Sequence, residues 1–439
     1  MRKILFSPVG GTDPISLNNE CDGSLLHICR FYKPEVVYLY MSKEILDNHN
    51  ADNRYLYCLD KLSDKISHKM EYIIIERPEL VDVQDYQIIY GDFIKIIGNI
   101  RNEITDEDEL LLNVSSGTPA MKSALMTINV LGEYKFKAIQ VKTPLKCMNE
   151  HNHEGYCVEL LWEFNKDNTD KTENRCMEIE CPALLEQKMR EVVIKHIDAY
   201  DYSAALDTLG GIQNHYYKYI QLAHYRFLLD FTNVDRLEKE LNISVTPVKD
   251  GNKRKYLEYM LTIIIKKEKK LYIDFIRAIT PLICDLFKLV LKDNFKINID
   301  DYIYKNKWNK SALELVKTDG YNLNDILSKA FGGNDRKFSY GFVQSVHLME
   351  IIRALSKDVV LIKLVEELRS VEEKIRNKAA HEIILVDEEI IKSETKFSSD
   401  EIIKKLKKLF AYTKINVKTE YWDSYDDMNK LIKEQIKKE

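Results

Sequence analysis

The 439-residue chain has no apolar run near the ~18 residues that a membrane-crossing helix needs. Its start, Met-Arg-Lys-Ile-Leu-Phe, has an apolar run cut short by Pro8, Gly10 and Gly11, too soon for a signal peptide. A cytoplasmic protein with no membrane partner is expected. Eight cysteines are present without one Cys-x-x-Cys pair, so neither a disulfide framework nor a paired-thiol redox motif is supported. Neither Gly-x-Gly-x-x-Gly nor a phosphate loop ending in Gly-Lys-Ser/Thr occurs, which disfavours a dinucleotide-dependent oxidoreductase and an NTPase. No internal repeat is evident. Proline is absent after Pro281.

What is present is an ordinary globular composition, 45% hydrophobic and 31% charged, enough to build real cores. The net charge of −5 hides an asymmetry. From Gly251 to Glu439 there are 37 basic and 30 acidic residues, which leaves 28 basic and 40 acidic before them. A basic C-terminal part hints at a polyanionic partner there, although lysines on solvated helix faces give the same count.

As far as Phe164, short β-rich runs alternate with helical patterns. Lys3–Phe6, Val36–Tyr40, Tyr72–Ile75, Leu110–Val114 and Phe136–Val141 read as strands. Ser24–Phe31, Tyr55–Ser67, Gln84–Arg101 and Pro119–Leu131 read as crossover helices. This alternation predicts a Rossmann-like parallel sheet, with ligands outside the carboxyl ends of its strands. Asn165–Glu180 is polar and reads as a linker. From Pro182 onward the pattern is helical, with loops at Val248–Lys253, Asn298–Asp301 and Phe331–Lys337. The expected fold class is α/β plus all-α: residues 1–170 the Rossmann-like domain, 180–330 a helical spacer and 331–439 a helical terminal domain.

Two loops of the first domain carry chemistry. After the fourth strand comes Asn113-Val114-Ser115-Ser116-Gly117-Thr118-Pro119, a turn followed by a helix start. Thr118 suits the N-cap, and Pro119 suits the first helical position, where no N–H is needed. Backbone N–H groups, serine hydroxyls and the positive helix end together favour an anion. The loop after the first strand contains Gly10, Gly11, Thr12 and Asp13. If strands one and four are neighbours, both loops face one crevice.

In the terminal domain, Arg376-Asn377-Lys378-Ala379-Ala380-His381 places four residues between an arginine and a histidine. Arginine grips phosphate with a planar fork, and histidine exchanges protons near neutral pH. RNA cleavage needs little more, because the 2′-hydroxyl is an internal nucleophile and no metal is obligatory. Positions five apart on a helix diverge by about 140°, so a distorted helix or a second copy is needed to aim both groups at one phosphate. Arg190 and His196 make a similar pair, read as a decoy because Val192, Val193 and Ile197 mark that helix as packed on a core. Cys147, His151, His153 and Cys157 could supply four metal ligands. Their spacing is loose, and Asn152–Gly155 reads instead as a hairpin tip between Ala138–Thr143 and Tyr156–Trp162, so no metal is expected.

The Rossmann-like start with its Ser-Ser-Gly-Thr-Pro loop, the helices and the terminal Arg-x4-His together resemble the CRISPR-associated Csm-type ancillary ribonucleases of type III systems. Those join a CARF sensor domain to a HEPN ribonuclease domain, often through a helical spacer. The resemblance implies a homodimer that cleaves single-stranded RNA when a cyclic oligoadenylate, most similar to the six-adenylate ring, arrives from the type III effector complex. It implies Gly10, Gly11, Thr12, Asp13, Asn113, Ser115, Ser116, Gly117 and Thr118 as ligand-loop positions. It implies Arg376 and His381 as catalytic residues, Asn377 as their support, 2′,3′-cyclic phosphate products and no cofactor. Arg336 would position RNA. Some family sensors slowly cut their own activator, a role in which Thr118 or a neighbouring hydroxyl would take part. The rival reading is a ligand-responsive regulator whose helical half binds nucleic acid or protein without cutting. No convincing helix-turn-helix in Gln187–Lys253 supports it.

Overall fold

The structure, a computed structural model, describes residues 2–105, 107–132, 136–144, 155–315, 322–332, 338–381 and 385–438, with backbone only for 375–381. It divides into two compact units, Met1–Lys188 and Met189–Glu439. No helix among the described residues is long and apolar enough to cross a membrane.

The first unit follows the predicted alternation. Its elements are β1 (Lys3–Pro8), α1 (Ser24–Tyr32), β2 (Val36–Ser42), α2 (Lys43–Asp52), α3 (Arg54–Ile66) and β3 (Glu71–Arg77). Then come α4 (Tyr86–Glu103), β4 (Glu109–Asn113), α5 (Pro119–Leu131), β5 (Lys137–Val141), α6 (Val158–Glu163) and β6 (Cys176–Ile179). The sheet order is β3-β2-β1-β4-β5-β6, with β1 and β4 paired in parallel at Ile4–Leu110 through Phe6–Leu112. Alternate side chains serve opposite faces, as a strand requires. Leu5, Val37, Leu39 and Leu111 pack with Leu25 and Ile28 of α1 and Leu59 of α3. Ile4, Phe6, Tyr40 and Leu112 pack with Phe93 of α4 and Leu125 of α5. Both faces are covered, as a parallel sheet demands.

Three expectations for this unit need correction. Tyr156–Trp162 is not a strand: Val158–Glu163 is helical, with Val158 buried and Leu161 and Trp162 packed beside it while Leu160 stays exposed. Apolar positions three and four apart form a helical stripe. The antiparallel partner of β5 is instead β6, paired Ile139 to Glu178. Consequently residues 165–180 are no linker. Asn165 and Asp167 are buried, their polarity consumed by internal hydrogen bonds rather than by water. A helix, α2, also forms where the sequence reading placed none.

Helix α7 (Pro182–Asp198) carries the chain out of the first unit into the second. There follow α8 (Tyr202–Thr208), α9 (Tyr217–Phe227), α10 (Phe231–Leu241), α11 (Gly251–Glu268) and α12 (Tyr272–Phe295). A short hairpin, β7 (Ile303–Tyr304) and β8 (Lys307–Trp308), interrupts the helical run. It precedes α13 (Lys310–Glu314), α14 (Leu323–Phe331), α15 (Ser345–Leu355) and α16 (Val359–His381). The chain closes with α17 (Glu388–Thr395), α18 (Ser399–Phe410) and α19 (Ser424–Ile436). One apolar core runs from Met260 through Phe287 and Leu348 to Ile415, so packing is continuous across the seam expected near Phe331. A second core gathers Val193, Ala223 and Leu261 with Met428 and Ile432, returning the last helix to the first ones.

Candidate functional site

Because β1 and β4 are neighbours, the two loops meet at their carboxyl ends. Asp13, 2% exposed, is the pin. Its carboxylate accepts from the Gly10 N–H at 3.0 Å, from the Leu25 N–H at 3.1 Å, and from the Ser116 hydroxyl of the other loop. Burial pushes the Asp13 carboxyl above the ordinary carboxylate range, and these hydrogen bonds oppose the push. A Cβ on Gly10 would stand 2.8 Å from the Gly117 nitrogen, so the loops touch backbone to backbone only because that position is glycine. Asn113 donates to the hydroxyls of Ser7 (2.9 Å) and Ser24 (3.1 Å) and accepts from the Ser115 N–H at 3.0 Å. Thr118 caps α5 as expected, accepting from the Met121 N–H, and its own hydroxyl donates to the Val83 carbonyl at 2.7 Å.

These contacts wall a crevice of about 250 Å³. Of the nominated residues, Thr12 and Ser115 line it. Asp13, Asn113 and Ser116 are buried and build its wall. Sequence reasoning missed the crevice's cations, Lys122, Lys142 and Arg175. Two had readable signals: Lys122 lies in the first turn of α5 and Lys142 directly follows β5. Arg175 lay in the supposed linker and had none. Lys122, Lys142 and Arg175 give this crevice, whose lining also includes Asp22, the chemistry to attract an anion, although the surrounding sequence is acidic.

Arg175 belongs to a buried polar cluster. Its Nη2 donates to Asp167 Oδ2 at 2.6 Å, and its backbone N–H donates to His27 Nε2 at 3.0 Å. Arg30 holds Asp22 through Nε at 2.6 Å and Nη2 at 3.0 Å. Burial raises the Asp22 pKa, but hydrogen bonds from His27 and Arg30 outweigh it and hold the carboxyl below its usual range. Asp22, His27 and Asp167 have metal-ligand spacing. Two guanidinium groups already neutralise the carboxylates, so the donor set does not fit a cation. Of the four candidate ligands Cys147, His151, His153 and Cys157, the first three lie outside the described residues. Cys157 directs its thiol to Glu159.

In the second unit, Arg376 and His381 fall on one continuous helix, α16, whose regular turn separates them by about 140° around the axis. The side chains of Arg376, Asn377 and His381, and Arg336 altogether, lie outside the described residues. One turn earlier Glu372 is buried and accepts the Ser345 hydroxyl. Another histidine of this region, His347, accepts at Nδ1 from Trp308 Nε1 (3.0 Å) and from the Gln344 N–H (3.2 Å). Burial, helped by the charge of Arg369, lowers its pKa to about 4, so it stays neutral and structural. The decoy helix α7 does bury Val193 and Ile197.

Three family models match in chain order. The Cas_Csm6 CARF domain covers residues 71–176, the Csm6 6H domain 179–227 and the Cas_Csm6 HEPN domain 245–433. A CRISPR system endoribonuclease Csm6 of Mycobacterium tuberculosis is 27% identical over 407 residues, spanning 91% of this chain and 92% of its own. A Streptococcus thermophilus protein of the same name is 27% identical over 455 residues, spanning 98% and 99%. Among solved structures, Enterococcus italicus Csm6 bound to cyclic hexa-2′-fluoro-hexa-dAMP shares the fold. Its TM-score is 0.68 at 20% identity, covering 99% of this chain and 100% of that one.

Proposed function

The chain belongs to the Csm6 family of CARF–HEPN proteins, and on that premise we propose that it is a single-stranded RNA endoribonuclease of type III CRISPR defence, switched on in the cytoplasm by a cyclic oligoadenylate. The observation that carries the sensor half is the crevice, where Lys122, Lys142 and Arg175 surround hydroxyls at the carboxyl ends of β4 and β5. A ring of phosphodiesters supplies the matching charge, and its adenylate number is read as six by likeness to the Enterococcus italicus complex.

The nuclease half works as a dimer. Positions five apart on a regular helix such as α16 diverge by about 140°, so two copies meeting across a twofold axis would supply Arg376 and His381 to one phosphate. Arg376 stabilises the phosphorane as the 2′-oxygen attacks and the P–O5′ bond breaks. His381 moves the proton and Asn377 supports the pair. Arg336 contacts the RNA. The products carry a 2′,3′-cyclic phosphate and a 5′-hydroxyl, and no metal takes part. The same attack within the activator ring would end the signal slowly. Ser115 faces the crevice, whereas the Thr118 hydroxyl is spent on Val83, which makes Ser115 the hydroxyl to test.

The deciding experiment is RNA cleavage in EDTA with cyclic tetra- or hexaadenylate. Ring-dependent cutting with cyclic phosphate ends supports the reading. Ring-independent or divalent-dependent cutting overturns it.

A further inference from the structure

Arg175 stands between two environments. Its side chain, 11% exposed, lines the crevice with Lys122 and Lys142. One nitrogen, Nη2, donates to Asp167 at 2.6 Å and also lies 3.0 Å from His27 Nδ1 and 3.4 Å from the Asp22 carbonyl, while the buried Nε has no partner among the described residues. The carbonyl of Arg175 accepts from the Lys142 N–H at 3.0 Å, which ties its backbone to the crevice rim. The next residue opens β6, and α7 begins shortly after β6 ends and carries the chain into the second unit.

Taking the crevice as the activator site, we propose that Arg175 is an activator-binding residue with two alternative partners: a ring phosphate displaces Asp167 from its guanidinium, and the response starts at the root of β6. A phosphate offers the planar fork two acceptors, whereas Asp167 engages only one nitrogen. An unpaired buried N–H is costly, and a phosphate accepting from Nε relieves that cost. Because Nε is shielded from solvent, the phosphate reaches it only when the guanidinium turns from Asp167. Asp167 is not stranded by the exchange, since the Asp22 N–H still donates to it at 2.8 Å. Asp22 keeps Arg30 and Asn165, so the neighbouring pair is a fixed anchor beside a movable one. A contact present in only one arrangement is what a ligand needs to shift an equilibrium.

The test reads opposite signs in the full-length protein. Asp167→Asn keeps an oxygen for Arg175 and for the Asp22 N–H but removes the competing charge. Cyclic hexaadenylate should then bind about threefold tighter or more, and RNA cleavage without the ring should rise, because coupling is reciprocal. Arg175→Ala should weaken ring binding about tenfold or more. It should also lower the cleavage plateau at saturating ring. Arg175→Lys, which keeps the charge without the fork and preserves more packing, should share that sign. Parallel losses in Asp167→Asn and Arg175→Ala would show a merely structural pair and overturn the proposal. So would an Arg175→Ala plateau equal to wild type. If the wild-type protein binds no ring, the crevice reading falls and takes the proposal with it. If it binds the ring and the signs do not oppose, the proposal alone falls.

Discussion

The Ser116 hydroxyl donates to the Asp13 carboxylate, joining the loop after β4 to the loop after β1 in the wall of the crevice. With both residues buried, removing the donor leaves an anion short of a partner. Ser116→Ala is expected to cost about 1–3 kcal/mol, and ring binding should weaken with it. The check is urea unfolding followed through Trp162, the tryptophan of the first unit. A bulky substitution at Ser116 tests packing rather than ligand contact, because that side chain does not face the crevice.

Lys122 and Lys142 do line it. Replacing either by alanine should weaken cyclic hexaadenylate binding by about three- to tenfold at low salt, and the deficit should shrink as salt rises. Titrations at two ionic strengths measure both effects. Loss independent of salt would mean that packing, not charge, had been removed.

Arg226 is wholly buried in the second unit, donating to Glu258 at 2.9 and 3.1 Å and to Ser424 of α19 at 2.8 and 3.0 Å. Arg226→Met strands the Glu258 charge and should destabilise this unit by about 3–5 kcal/mol. Arg226→Met with Glu258→Leu should recover much of that. Unfolding monitored through Trp308 and Trp422 reads the difference.

His347 gives a pH dependence of definite sign. Its folded-state pKa, about 4, lies below its ordinary 6.5, so the unfolded chain binds the proton more readily between those values. Stability of the second unit should therefore fall as pH drops from about 6.5 towards 4 and be unaffected by His347 above that window. His347→Gln should flatten the slope in urea titrations at stepped pH. Since His347 stays neutral above that window, it does not exchange protons with a reaction run near neutrality.

Much of this was legible in the residues. The unbroken apolar run Ile4, Leu5 and Phe6 announced a strand covered on both faces, and Thr118-Pro119 marked the start of α5 to the residue. The meeting of the two loops was expected only if strands one and four were neighbours, which the sheet order supplies. What stayed hidden was long-range compensation. Asn165, Asp167 and Arg175 look solvated in sequence because their partners, Asp22 and His27, stand about 140 residues or more away. The small hairpin at Ile303–Trp308 is too short to carry a period. The continuity of core across Phe331 depends on α12 packing against α15 and α16, which no local pattern encodes.

The central claim is that paired copies of Arg376 and His381 cut RNA without a metal under control of a ring bound in the first unit. RNA cleavage in EDTA with saturating cyclic hexaadenylate, comparing wild type with Arg376→Ala and His381→Ala, addresses it most directly. The account predicts ring-dependent cutting that each substitution lowers by about a hundredfold or more, with ring binding intact. Undiminished cutting in both variants would contradict it.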